Sequence, residues 1–283
     1  MQRYKILHRT YYNFSGIVQL GPHALRLRPR EDHDLRIESS TLTITPPASL
    51  LWHRDVEGNA VAIATFDLPT SQLAVESEVV IHQYNEAPLD FLMAGYAVNW
   101  PFTYQSDDTL LLAPYMTVQE KENRMLLDEW IEACGRLKAP IQTYTRLNRI
   151  CTHIHQTLSY QRREEPGVQT AGQTLSRGTG SCRDFAVLFM EAARCMGIAA
   201  RFVSGYLHAP PSMVDLGATH AWAEVYLPGA GWKGFDPTIG EIVGSDHIAV
   251  ATARLPQSVP PVSGSFVGPP GSRMDVGVWV TTC

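Results

Sequence analysis

Three side chains in the second half of the chain have the types and the order that thiol chemistry needs: Cys182, His220 and Asp236. A thiol becomes a nucleophile when a base takes its proton, and an imidazole serves as that base when a carboxylate fixes its tautomer and stabilises its cation. The stretch around Cys182 carries the first argument. Gly178-Thr179-Gly180 are small and turn-forming, and Ser181 with Asp184 has the S-x-x-D spacing of a capping box. Apolar residues then recur at Phe185, Leu188, Phe189, Ala192 and Met196, one face of a buried helix, and Gly197 supplies its stop. Cys182 is therefore expected at the first helical position. Unsatisfied backbone N–H groups and the positive end of the helix dipole favour a thiolate there, and the same groups can hold an oxyanion. Asp184 adds a negative charge nearby, and its bond back to the cap should keep it turned away.

His220 opens a period-two run, Ala221 to Leu227. Pro228-Gly229-Ala230-Gly231 reads as a turn, and Trp232 to Asp236 as the returning strand. Facing residues of an antiparallel pair share a side of the sheet. Two registers bring the side chains together: Asp236 directly opposite His220, or Asp236 opposite Trp222 and one diagonal step away, at about 7–8 Å between Cα atoms. A slip of one residue would put them on opposite faces. Taken singly, Cys182 reads as a small buried thiol, His220 as a half-exposed strand histidine and Asp236 as a turn-starting residue before Pro237. The ordered set is what favours catalysis. Cys134, Cys151 and Cys195 lie inside helical patterns and read as structural. Gly178-Thr179-Gly180 does not continue as a dinucleotide loop, because Arg183 occupies the place of the third glycine and no strand precedes. The cysteines and histidines show no metal-ligand spacing, so neither a metal nor another cofactor is expected.

The elements that must position these residues follow from periodicity. Residues 1–85 read as a separate β-sandwich: Leu25 and Leu27 alternate with Arg26, Arg28 and Arg30, Leu73, Val75, Val79 and Ile81 share one face, and Glu57-Gly58-Asn59 marks a turn. The arginine row suits either a solvated sheet face or, less economically, a strip for an acidic partner. Residues 86–283 read as the catalytic domain. Its expected helices cover 119–138 and 141–158, broken at Pro140, with a third from Cys182. Strands are expected from Ala199 to Leu207, Ala221 to Leu227, Trp232 to Asp236, Ile248 to Val250 and Met274 to Val280, with proline- and glycine-marked loops in the tail. Helices grouped before strands imply an α+β domain.

A net charge of −5 in 283 residues argues against binding that relies on neutralising phosphates, so no nucleic-acid partner is expected. No stretch approaches the roughly 20 apolar residues of a membrane span, and the first residues lack the apolar core of a signal peptide. Five scattered cysteines without a secretion signal point to reduced thiols in a cytoplasm.

The stretches G-S-C-R-D-F-A, T-H-A-W-A-E-V-Y and G-W-K-G-F-D-P-T resemble the nucleophile, base and orienting-acid motifs of the transglutaminase-like superfamily. H-R-T-Y-Y-N-F from His8, L-R-L-R-P-R from Leu25, H-R-D-V-E-G-N from His53 and Asp246-His247-Ile248 look like the bacterial cysteine-protease branch of that family, with its β-rich N-terminal region. The resemblance implies a papain-like core, with the cysteine helix packed on a small antiparallel sheet. It also implies the nucleophile, base and acid roles for Cys182, His220 and Asp236, and an extra oxyanion donor upstream, near Tyr160. The expected reaction is cleavage of an amide or peptide bond in a peptide or protein substrate, through a thioester. Acyl transfer to a primary amine, as in a transglutaminase proper, and a non-enzymatic module that keeps the fold remain the alternatives.

Overall fold

The computed structural model describes residues 1–84, 87–134, 141–163, 165–208 and 219–283. Strands β1 (Gln2–Leu25), β2 (Leu35–Thr45), β3 (Ser49–Arg54), β4 (Ala60–Thr65) and β5 (Thr70–Gln83) form the N-terminal layer, and no helix interrupts residues 1–84. The alternation in β5 is expressed as expected: Leu73, Val75, Ser77, Val79 and Ile81 are all buried. β1 is the organising strand. Its first half pairs with β5 from Gln2 to Asn13; after an irregularity before Val18, its second half pairs with β4. The layers of the expected sandwich are thus parts of one sheet, joined through a strand long enough to belong to both.

The middle of the chain contributes the two-residue strand β6 (Asn99–Trp100), helices α1 (Ser106–Met116) and α2 (Arg124–Ala133), the bridge strand β7 (Ile141–Gln142) and helix α3 (Thr143–Thr157). Then come β8 (Ser159–Tyr160), α4 (Ala171–Arg177), β9 (Thr179–Gly180) and α5 (Cys182–Cys195). The helix expected over 119–138 is shorter. The N–H groups of Gln119 and Glu120 donate to the buried Glu191 carboxylate at 2.7 and 2.8 Å, which holds this segment extended and delays the helix to Arg124. The end of that expected helix and the break at Pro140 lie outside the described residues. α3 begins two residues later than expected because Ile141–Gln142 pairs with Asn99–Trp100.

The remaining strands are β10 (Ala200–Leu207), β11 (His220–Leu227), β12 (Gly231–Asp236), β13 (Glu241–Ile242), β14 (His247–Ala253), β15 (Val262–Val267) and β16 (Ser272–Thr282). Five of them form an antiparallel sheet in the order β13-β12-β11-β10-β14. Phe185, Leu188 and Phe189 of α5 join Ala223, Val225 and Phe235 of the sheet in the largest core, which gives the expected α+β arrangement of cysteine helix on antiparallel sheet. The tail corrects the division at residue 85. β15 and β16 both pair with β1, so residues 262–282 complete the N-terminal sheet rather than the catalytic part. β15 escapes notice in the sequence because it is short, contains Gly264 and is flanked by Pro261 and Gly268. Between the layers, Tyr4, Ile6, Val79 and Ile81 share a core with Tyr206, Ile248 and Val250.

The arginine row is neither a solvated strand face nor a free strip. β1 ends at Leu25, Arg28 pairs with Glu31 at 3.2 Å, and Arg30 donates to Glu57 O and Asn59 Oδ1 at 2.9 and 2.7 Å.

Candidate active site

Cys182 is the first residue of α5, with Ser181 as N-cap. The glycines ahead of it act as their positions require. Gly178 ends α4 in a left-handed conformation at φ 67°, and a Cβ on Gly180 would press on Asp184 and Phe185 at 3.0–3.1 Å. The Asp184 carboxylate turns back as expected, accepting the Ser181 N–H at 2.9 Å and the Ser181 hydroxyl at 2.8 Å. It does more than cap the helix. It is fully buried and also accepts the Gln169 N–H at 2.7 Å and the Arg163 guanidinium at 2.8 and 2.9 Å. Burial acts to raise its pKa, but the bonds from Gln169, Ser181 and Arg163 prevail and hold it low. Asp184 therefore fastens the loop before α4 to the start of the cysteine helix.

His220 and Asp236 meet through the diagonal register. The observed pairs run from Leu227↔Gly231 to Ala223↔Phe235, which continues to Asp236 opposite Trp222. His220 Nε2 lies 2.6 Å from Asp236 Oδ2, and both residues are buried. Cys182 and the same imidazole line one pocket, and the thiol is near enough to raise the pKa of the ring. With Nε2 committed to the carboxylate, Nδ1 is the nitrogen left for sulfur. Burial disfavours a charged His220 ring, but the charge and hydrogen bond of Asp236, with a smaller contribution from Cys182, push its pKa up to about 10. Burial likewise opposes the Asp236 carboxylate, and His220 and His247 together hold it far below the usual range.

Sequence reasoning assigned no role to His247. Its Nε2 lies 3.1 Å from the same Asp236 Oδ2, and its ring stands edge-on to Trp222 with centroids 5.3 Å apart. His220, Asp236 and His247 offer three potential metal-ligand atoms within 4.8 Å of one another. In this geometry those atoms already satisfy each other by hydrogen bonding. An ion there would need the Nε2 lone pair of each ring and would take Asp236 from His220. Cys134, Cys151 and Cys195, read as structural, sit in or against the catalytic core. Burial pushes the Cys134 thiol up to about 12 and Cys195 to about 11, and raises Cys151 strongly.

Space opens on two sides of the thiol. One pocket of about 480 Å³ is walled by Val168, Phe202, Val259 and Pro260 and reaches both Cys182 and His220. A second, about 510 Å³, runs from Cys182 past Tyr160, Arg162 and Arg183 to Arg273. Tyr160, the region expected to supply an oxyanion donor, lines the same pocket as the nucleophile.

A cysteine helix on an antiparallel sheet that carries a buried His–Asp pair defines the papain-like class of thiol enzyme folds. Residues 134–237 match the transglutaminase-like superfamily, and residues 4–82 match the bacterial transglutaminase-like N-terminal region. An uncharacterized protein of Mycobacterium leprae is 35% identical over 288 residues, covering 99% of both chains. One of Mycobacterium tuberculosis is 28% identical over 296 residues, covering 98% of this chain and 91% of its own. Among solved structures, a candidate cysteine protease from Cytophaga hutchinsonii superposes with a TM-score of 0.74 at 17% identity, covering 99% of this chain and 90% of that one. This chain belongs to the transglutaminase-like superfamily, in the bacterial form that carries the β-rich N-terminal region.

Proposed function

We propose that the protein is a thiol-dependent amidase or peptidase in which Cys182 is the nucleophile, His220 the acid–base and Asp236 the group that orients His220. The observation that carries this reading is the buried 2.6 Å His220–Asp236 pair, whose imidazole lines one pocket with a cysteine at a helix start. Cys182 Sγ attacks the substrate amide carbon, and the oxyanion is met by the Cys182 N–H, which has no intrahelical acceptor. Tyr160 is our candidate for the second donor. His220 delivers its Nδ1 proton to the leaving amine as the C–N bond breaks, which leaves a thioester. Water then attacks the thioester, His220 takes its proton, and the C–S bond breaks to release the acid. Room on both sides of the sulfur suits a peptide or protein chain threading past it. No step calls for a metal or other cofactor.

The test is the rate of iodoacetamide modification at Cys182, read by peptide mass spectrometry so that the exposed Cys283 is separated. His220→Ala and Asp236→Ala should each slow it near neutral pH; parental rates in both would refute the assignment. A labelled primary amine, offered with a glutamine-bearing acceptor, separates hydrolysis from transamidation. Hydrolysis is our preference, because the N-terminal layer packs against β10 and β14 of the catalytic sheet and is not obviously built to bring an acceptor protein. Cys182 reacting no faster than Cys195 would favour a non-enzymatic module. No described helix is long and apolar enough to cross a membrane. The five free cysteines make the cytoplasm our expected compartment; we expect neither nucleic acid nor membrane as a partner.

A further inference from the structure

Asp236 carries two imidazoles on one oxygen. Oδ2 lies 2.6 Å from His220 Nε2 and 3.1 Å from His247 Nε2, while Oδ1 accepts the Thr238 N–H at 2.9 Å. The remaining nitrogen of His247, Nδ1, lies 3.3 Å from the Gly244 N–H. A backbone N–H can only donate, so Nδ1 is the acceptor. The ring proton of a neutral His247 therefore sits on Nε2, aimed at Asp236.

His247 is itself well held. It is buried, its N–H donates to Gly244 O at 3.1 Å, and its carbonyl accepts from Gln83 Nε2 at 3.2 Å. Its neighbour Asp246 accepts the Tyr4 hydroxyl at 2.8 Å. The Trp222 ring closes the remaining side, and it has room because Gly205, paired with both His220 and Ala249, has no side chain. A Cβ on Gly205 would lie 2.6 Å from that ring.

We infer that His247 is a positioning residue of this site: its Nε2–H anchors the Asp236 carboxylate, so that Oδ2 stays in line with His220 Nε2. The inference rests on the reading of Cys182, His220 and Asp236 as a working triad. A carboxylate held by one imidazole and one backbone N–H can swing about its own two side-chain bonds. A third donor from a different strand removes that freedom before any substrate arrives. Through Gln83 and Tyr4 the anchor is set against the N-terminal layer, which gives that layer a direct part in the geometry of the site.

The experiment measures Cys182 alkylation by iodoacetamide at pH 7 in His247→Leu, His247→Gln, Asp236→Ala, His220→Ala and the double variant Asp236→Ala/His247→Leu. Glutamine can present an N–H close to the place of Nε2, and leucine cannot. Losing a hydrogen bond to a charged group should slow His247→Leu about tenfold, with His247→Gln within about threefold of the parent. The double variant should be no slower than Asp236→Ala, because the anchor then has nothing to hold. A packing role would instead slow Gln and Leu alike and add to Asp236→Ala, and that result overturns the inference, as does a parental rate in His247→Leu. If Asp236→Ala and His220→Ala themselves react at the parental rate, the triad falls and the anchor with it. Imidazole nitrogen NMR on the unsubstituted protein keeps the test open should the leucine variant not fold: the Nε2–H tautomer of His247 is expected, and an Nδ1–H tautomer refutes it. Elemental analysis that finds a stoichiometric divalent ion, lost in His247→Gln, refutes it too, because the metal would stand where the Nε2 proton is required.

Discussion

Asp184 shows how much one carboxylate can carry beyond its charge. From the sequence it reads as a cap residue whose negative charge should be kept from Cys182, and Asn looks like a mild replacement. The structure gives it three partner residues, Ser181, Gln169 and Arg163, in a fully buried position. Asp184→Asn leaves the half-buried Arg163 with only the exposed Glu165 carboxylate, 3.6 Å away, as counter-charge and should cost about 3 kcal/mol. Urea unfolding checks this; a loss under about 0.5 kcal/mol, the range of an ordinary surface change, would contradict it. His220 gives a second residue-scale expectation, in pH. Its pKa in the folded protein, about 10, lies above that of an unfolded histidine, about 6.5. Its ionisation therefore stabilises fully below about pH 6.5, and that stabilisation fades as pH rises towards 10. The melting-temperature gap between the parent and His220→Ala should narrow across that window, down to whatever packing remains; a gap that widened would have the wrong sign. Asp236 runs the other way, its contribution present above about pH 4 and lost only as acid protonates it.

At the scale of elements, the legible parts are those fixed over short sequence distances. The start of α5 could be read from Ser181, Asp184 and the spacing of five apolar residues, and α5 runs from Cys182 to Cys195. The hairpin could be read too, but its four-residue turn allowed two registers, and only the observed Leu227↔Gly231 pairing chooses the diagonal one. α1 was illegible as a separate helix because its short inward stripe, Leu112, Tyr115 and Met116, is interrupted by Pro114 and masked by Leu110 and Leu111, which are 78% and 75% exposed. His247 was illegible as a site residue for another reason. It lies on β14, at the far edge of a sheet whose order places β10 and β11 between it and β12, and no local spacing announces that contact. Gly205 is the trace it leaves in β10. A Cβ there would lie 2.3 Å from Ile248 O and 2.6 Å from the Trp222 ring, so either β14 or the ring must move. Gly205→Val should lower stability by about 1–3 kcal/mol, the usual cost of overpacking, and also slow Cys182 alkylation. Loss of stability with an unchanged alkylation rate would show that the lane between β14 and His220 has no bearing on the site.

Across the whole molecule, both ends of the chain meet on one strand. β1 starts the fold and β16 ends it, paired from Tyr4↔Thr282 to Phe14↔Ser272. The sequence suggested two units divided near residue 85, because periodicity changes there; it could not show that the last strands return, since register between distant strands leaves no local mark. The join between the layers is polar as well as apolar, and Asn59 is its centre. Fully buried at the end of the β3–β4 turn, its Oδ1 accepts the Thr252 N–H at 2.8 Å and Arg30 Nη1 at 2.7 Å. Its Nδ2 donates to Thr252 O at 2.8 Å and Asp55 Oδ2 at 2.9 Å. Asn59→Ala strands the backbone N–H and C=O of Thr252 in β14 and should cost about 2–4 kcal/mol, since each buried group left unpaired costs about 1–3 kcal/mol. Asn59→Asp keeps the size but turns two donations into repulsions, against Thr252 O and the Asp55 carboxylate, so it should rescue little. Because β1, β5 and β16 pack on β10 and β14 around a shared core, urea unfolding of the parent should be one transition, coincident by tryptophan fluorescence and by far-ultraviolet circular dichroism. In Asn59→Ala that transition should move to lower urea as a single step, and the buried Cys151 of the catalytic core should become reactive towards iodoacetamide over that same urea range. Two separated transitions in the parent, with the thiols exposed in only one of them, would show that the layers fold independently and that Asn59 joins two self-sufficient units.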